Sequence, residues 1–94
     1  MTEQQHLWMR LRQILSEEAD DFGADAITVD STLRGDLGMS GMQIVSMGFR
    51  VEPEFSIHLT DADTRQLDAP RATAGDVLAV VERHLKAGGS DGAR

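Results

Sequence analysis

Apolar side chains recur at helical spacing through the opening quarter of the chain. In "TEQQHLWMRLRQILSEEADDFG", Leu7, Trp8, Leu11, Ile14, Leu15 and Phe22 fall largely on one face, with Ala19 bridging the gap, the stripe of an amphipathic helix. Thr2 and Gln5 have the spacing of a capping box at its start, and Gly23 is a natural stop. Glu17, Glu18, Asp20 and Asp21 gather near the negative end of the helix dipole, so a solvated, frayed terminus is expected there rather than a metal site.

Periodicity then lapses. Residues 24–40, "ADAITVDSTLRGDLGMS", carry Ile27, Val29, Leu33 and Leu37 at spacings suited to pinning a long ordered loop onto a core, with turn chemistry at Asp30-Ser31 and Gly35-Asp36. A second helix should start at Ser40 or Gly41, with Met42, Val45, Phe49 and Ile44 facing inward. Pro53 should end it at about residue 51 or 52. "EFSIHL" reads as a connector burying Phe55, Ile57 and Leu59. "TDADTRQL" reads as a short third helix capped by Thr60 or Asp61. After the turn "DAPRA", Thr73 and Asp76 box the start of a last helix, whose apolar side is Val77, Leu78, Val80, Val81 and Leu85. No repeat and no alternating strand pattern appears. The expected fold is all-α: a small four-helix bundle of up-and-down type over residues 1–87, with a flexible tail at 88–94.

Composition narrows the function. The 94 residues include no cysteine, which excludes disulfides, thiolate metal sites and a cysteine nucleophile. No apolar run reaches the roughly 18–20 residues that span a bilayer, and "MTEQQHLW" has no signal-peptide pattern, so the cytoplasm is the expected location. A net charge of −7 argues against nucleic-acid binding and suits docking on basic patches of protein partners, unless the acidity serves only solubility. His6, His58 and His84 match no metal-ligand spacing. His6 and His58 are expected on the surface, and His84 against the terminal carbonyls of the last helix. Asp36 and Asp61 would need further partners to hold a divalent ion. No nucleophile–base–acid set suggests catalysis.

"DLGMSGM" at the mouth of the second helix resembles the Asp-Leu-Gly-x-Asp-Ser-Leu motif of the acyl carrier protein family. Asp36, Leu37 and Gly38 match its first three positions, and Met42 stands for its leucine. Downstream, "EFSIHLTDAD" and "ATAGDVLAVVERHL" are similar to family segments at the family's spacing, through Phe55, Ile57, Leu59, Asp61, Thr73, Gly75, Asp76 and Val77. The resemblance covers about residues 5–86 without gaps. It implies a monomeric, non-catalytic carrier of thioester-linked acyl chains on a 4'-phosphopantetheine arm, with a sheltering slot between helices. The arm is attached by a phosphopantetheinyl transferase, and an acidic second helix docks acyl-transferring and condensing enzymes of fatty-acid or polyketide assembly.

Two departures stand against that pattern. The gap-free register puts Gly41 on the attachment serine and Ser40 on the preceding aspartate, and glycine has no hydroxyl to accept the arm. Ser40 suits an N-cap, with Gln43 completing its box; the alternative is attachment at Ser40, one residue early. Gly41 is either native or a Ser→Gly change. The second departure is that "MQIVSMGFRV" contains no acid and one base, Arg50. An outer docking face comprising Met39, Gln43, Ser46, Met47 and Arg50 would then recognise partners largely by apolar contact. The rival reading is a carrier-like interaction module that never loads cargo.

Overall fold

Thr2 begins α1 as its box demands: its hydroxyl accepts from the Gln5 amide at 3.1 Å, and the Gln5 side chain accepts from the Thr2 amide at 2.8 Å. The computed structural model describes residues 2–19 and 23–92. α1 spans Glu3–Glu18, α2 Gly41–Phe55, α3 Asp61–Asp68 and α4 Ala74–Gly92. A single 3-10 turn at Ala24–Ala26 opens the long loop. α1 packs on α2 and α4, while α3 contacts both α2 and α4. Leu11, Leu15, Leu33, Met47, Val51 and Val81 are fully buried at the centre. Trp8, Leu59 and Leu85 lie partly buried against it.

α1 closes at Ala19, short of Gly23. Phe22, Asp20 and Asp21 lie outside the described residues. Glu17 and Glu18 are not simply solvated. Arg50 of α2 binds both, reaching Glu18 at 3.2 Å, and so places a cation beside the negative end of the α1 dipole. The hydrogen bonds from Arg50 and Gln13 hold the Glu17 carboxyl below its usual range.

α2 departs from expectation in length and in phase. It continues through Pro53 to Phe55. A proline inside a helix costs about 3 kcal/mol, but the added turn buries Phe55 and completes a stripe with Val51. Each large apolar side chain removed from water offsets about 1.5–3 kcal/mol of that. The connector therefore starts only at Ser56, which closes the helix in the left-handed region at φ 56°. The buried stripe is Ile44, Met47, Val51 and Phe55, whereas Met42, Val45 and Phe49 are 85%, 45% and 70% exposed. Residues 42–51 are apolar on several sides, so two stripes compete. The one that wins is the one that extends past Pro53.

The loop is pinned by Ile27, Leu33 and Leu37, all buried, but Val29 is exposed. Its backbone makes the contact instead. The Val29 carbonyl accepts from the Gly75 amide at 2.8 Å, and a Cβ on Gly75 would stand 2.8 Å from that oxygen, so only glycine fits this approach. Beside it, Thr32 and Thr73 form the one extended pairing among the described residues. Thr60 caps α3, accepting from the Asp63 amide at 3.1 Å, and Thr73 with Asp76 boxes α4. α4 runs on to Gly92, into the stretch expected as tail. His84 is therefore mid-helix, away from the terminal carbonyls.

Candidate functional site

The turn before α2 is built from reciprocal bonds. Thr32 Oγ1 accepts from the Asp36 amide at 2.8 Å, and Asp36 Oδ2 accepts from the Thr32 amide at 2.9 Å. The Leu37 amide returns to the Thr32 carbonyl, and the Met39 amide to that of Leu33. Leu37 and Met39 plug the turn into the core, while Gly38 reverses the chain at φ 64°. Asp36, Leu37 and Gly38 thus carry Ser40 and Gly41 to the mouth of α2. Met39, expected on the docking face, is instead a core residue at 2% exposure, because the turn needs an apolar anchor on each side of Gly38.

At the mouth, Ser40 is the exposed N-cap. Its Oγ accepts from the Gln43 amide at 3.2 Å, and its amide donates to Gln43 Oε1 at 2.8 Å. We expect Ser40→Ala to lower stability by about 1 kcal/mol and Ser40→Gly by only a few tenths. Equal urea midpoints for Ser40→Ala and the parent would remove the capping role. Gly41 opens the helix. A Cβ built there would lie 3.4 Å from an Arg34 guanidinium nitrogen and 3.7 Å from Asp68 Oδ1, which is ordinary contact. The position has room for a Cβ but supplies no hydroxyl, so the residue present at 41 does not fit covalent attachment of a phosphopantetheine arm. Arg34 spans this mouth, donating to the Asp68 carbonyl at 2.9 Å and pairing with the Asp68 carboxylate. Neither Arg34 nor Asp68 was singled out from sequence; an isolated arginine in an otherwise acidic and apolar loop is the one signal that marks the first.

The expected docking residues divide. Met47 is fully buried, correcting its placement on the outer face, since it lies on the stripe that packs on the core. Gln43 is half-buried, and its Nε2 donates to the Glu18 carbonyl at 2.8 Å. Arg50 is turned toward α1 by the acids described above. Only Ser46 lies exposed on the outer face, beside Met42, Val45 and Phe49. Gly41, Met42, Val45, Ser46 and Phe49 line an open depression of about 410 Å³. A smaller one, about 140 Å³, continues from Val45 and Phe49 to Gly48, Glu52, Leu59 and Thr64.

A second polar centre joins α3 to α4. Asp63, 3% exposed, accepts from the Thr60 amide at 3.0 Å, lies 2.6 Å from His84 Nε2 and pairs with Arg83. This is where His84 goes, rather than to the helix end. Burial pushes the Asp63 carboxyl up, but the Thr60 amide, His84, the Thr60 hydroxyl and the Arg83 charge together hold it down at about 2. The sequence offers Thr60 or Asp61 as the cap of α3 and does not single out Asp63. His6 is exposed, and His58 is fully exposed with its ring 3.9 Å from Glu52. Among the described residues no group of three or more His, Asp or Glu side chains could hold a metal ion, and no helix is long and apolar enough to cross a membrane.

The site therefore offers a helix mouth on a rigid turn, an ion pair beside it and an apolar stripe descending from it, a geometry for presenting and docking. No protein-family model matches the chain. Over 69 residues it is 33% identical to an acyl carrier protein of an Exiguobacterium species, covering 71% of this chain and 82% of that protein. It is 29% identical over 65 residues to an acyl carrier protein of Treponema pallidum, covering 69% of this chain and 82% of the relative.

Proposed function

Because the chain belongs to the acyl carrier protein family, we propose that it is a cytoplasmic, monomeric carrier scaffold for acyl intermediates of fatty-acid or polyketide assembly, with Gly41 at a vacated attachment position. The observation that carries this reading is the geometry at the mouth of α2. The Asp36–Gly38 turn sets residue 41 as the first helical residue, at the head of an exposed groove. The niche there accepts a Cβ at 3.4 and 3.7 Å from its neighbours. Ser40 acts as the cap. The chain itself performs no turnover; it would present cargo to acyl-transferring or condensing enzymes. In its present form it lacks the hydroxyl that would hold the arm.

The test is intact mass after incubation with coenzyme A and a broad-specificity phosphopantetheinyl transferase. The expected result is one added arm on Gly41→Ser and none on the Gly41 chain. A modified Gly41 chain would move the attachment to Ser40 and overturn the assignment of position 41. If neither chain gains mass, a non-loading interaction module, which the missing hydroxyl also fits, replaces the carrier reading.

A further inference from the structure

Resting on the carrier reading, we infer that α2 docks its partner enzyme through an uncharged, apolar surface, the partner presenting an apolar patch in place of a basic one. Met42, Val45 and Phe49 recur at i, i+3 and i+7, forming one exposed stripe along α2. The two depressions that this stripe lines meet at Val45 and Phe49. Gly48 keeps the second one open, since a Cβ there would lie 3.3 Å from Leu59 Cδ1 and narrow it. Exposed large apolar side chains in a contiguous set mark interaction surfaces, and aromatic and methionine side chains are the types enriched in them.

Charge decides what covers the stripe. Each charged side chain of α2 is engaged inside the chain: Arg50 with Glu17 and Glu18, Glu52 with the Leu59 amide at 2.9 Å, and Glu54 with Arg10 at 2.7 Å. At the mouth, Arg34 and Asp68 neutralise one another. Glu52 keeps its charge at the edge of the smaller depression, but the larger one, lined by Gly41, Met42, Val45, Ser46 and Phe49, has no charged residue in its lining. A basic patch laid on it would lose hydration without gaining a free carboxylate there, which is unfavourable. An apolar patch meets no such penalty and buries the stripe.

The Gly41 chain permits a direct test, because it can bind a transferase without being consumed. Its dissociation constant for a broad-specificity phosphopantetheinyl transferase, with coenzyme A present, is measured at about 0.05 and about 0.5 M NaCl, a range over which exposed charge attraction is strongly screened. The expected change with salt is less than about twofold, with Phe49→Gln weakening binding about tenfold as a central apolar anchor does. Glu54→Gln should leave it unaltered. Phe49 is 70% exposed, so its replacement spares the core, which far-UV circular dichroism verifies. Steep loss of affinity with salt, indifference to Phe49→Gln, or no binding overturns the inference. So does a self-association abolished by Phe49→Gln, which would assign the face to a second copy. Loading of Gly41→Ser together with salt-steep binding removes this inference alone. Salt-flat, Phe49-dependent binding without loading removes the carrier reading alone.

Discussion

Met47→Ala lowers the free energy of unfolding by about 2–5 kcal/mol, whereas Met42→Ala leaves it within about 0.5 kcal/mol. The two methionines lie five residues apart on α2 and carry the same side chain, so composition and propensity cannot separate them. Environment does. Met47 is 0% exposed and packed in the core, and truncation there forfeits both transfer free energy and packing around the cavity left behind. Met42 is 85% exposed, and its truncation removes little that folding buries. A chain of this size is stable by about 5–14 kcal/mol, so the Met47 change claims a large share of the total. Urea unfolding of both variants decides the phase of α2. Equal losses, or a larger loss at Met42, would mean that the helix is rotated toward the face first read from sequence.

Asp63→Ala should cost about 3 kcal/mol at neutral pH. That is the low end for breaking a buried ion pair, because Arg83 and His84 are 59% and 22% exposed and can rehydrate. The same carboxylate makes stability fall in acid. Its folded pKa of about 2 lies below the ordinary 3.8. The stabilisation it contributes, about 2 kcal/mol, is fully present above the unfolded value and lost as pH falls toward 2. Asparagine keeps an acceptor for the Thr60 amide but has no charge to titrate. The gap in stability between the parent and Asp63→Asn should therefore narrow from pH 5 to pH 2, as read from urea midpoints at about one-unit steps. A gap of constant width across that range would remove the ionised carboxylate from the account.

What the sequence revealed was mostly local. The boxes at Thr2, Ser40 and Thr73 and the cap at Thr60 form because cap and partner are three residues apart, and no distant group is needed to close them. Leu37 and Leu33 were legible as anchors for a similar reason, since a turn between two apolar residues has few ways to bury both. The family motif located the mouth of α2, and the turn around Gly38 is built there. The phase of α2 was hidden, because Met42, Ile44, Val45, Met47 and Phe49 satisfy two stripes at once. The choice between them depends on Val51 and Phe55 beyond a proline that reads as a stop. The roles of Asp63, Arg34 and Arg50 were hidden for a different reason. Each is defined by a partner 20 or more residues away, at Arg83, Asp68 and Glu17, and no periodicity encodes such a pairing.

One amide side chain, that of Gln43, closes the cap of α2 and also donates to the Glu18 carbonyl in the last turn of α1. Fraying at either helix end breaks a bond belonging to the other. The end of α1 and the head of α2 should therefore open together as one cooperative unit, with matched protection of their amide protons against solvent exchange. The residue that would present cargo then stands on a surface that does not breathe on its own. Motion at the mouth becomes a property of the α1–α2 pair, and a partner that held α2 would be felt at the C-terminal end of α1.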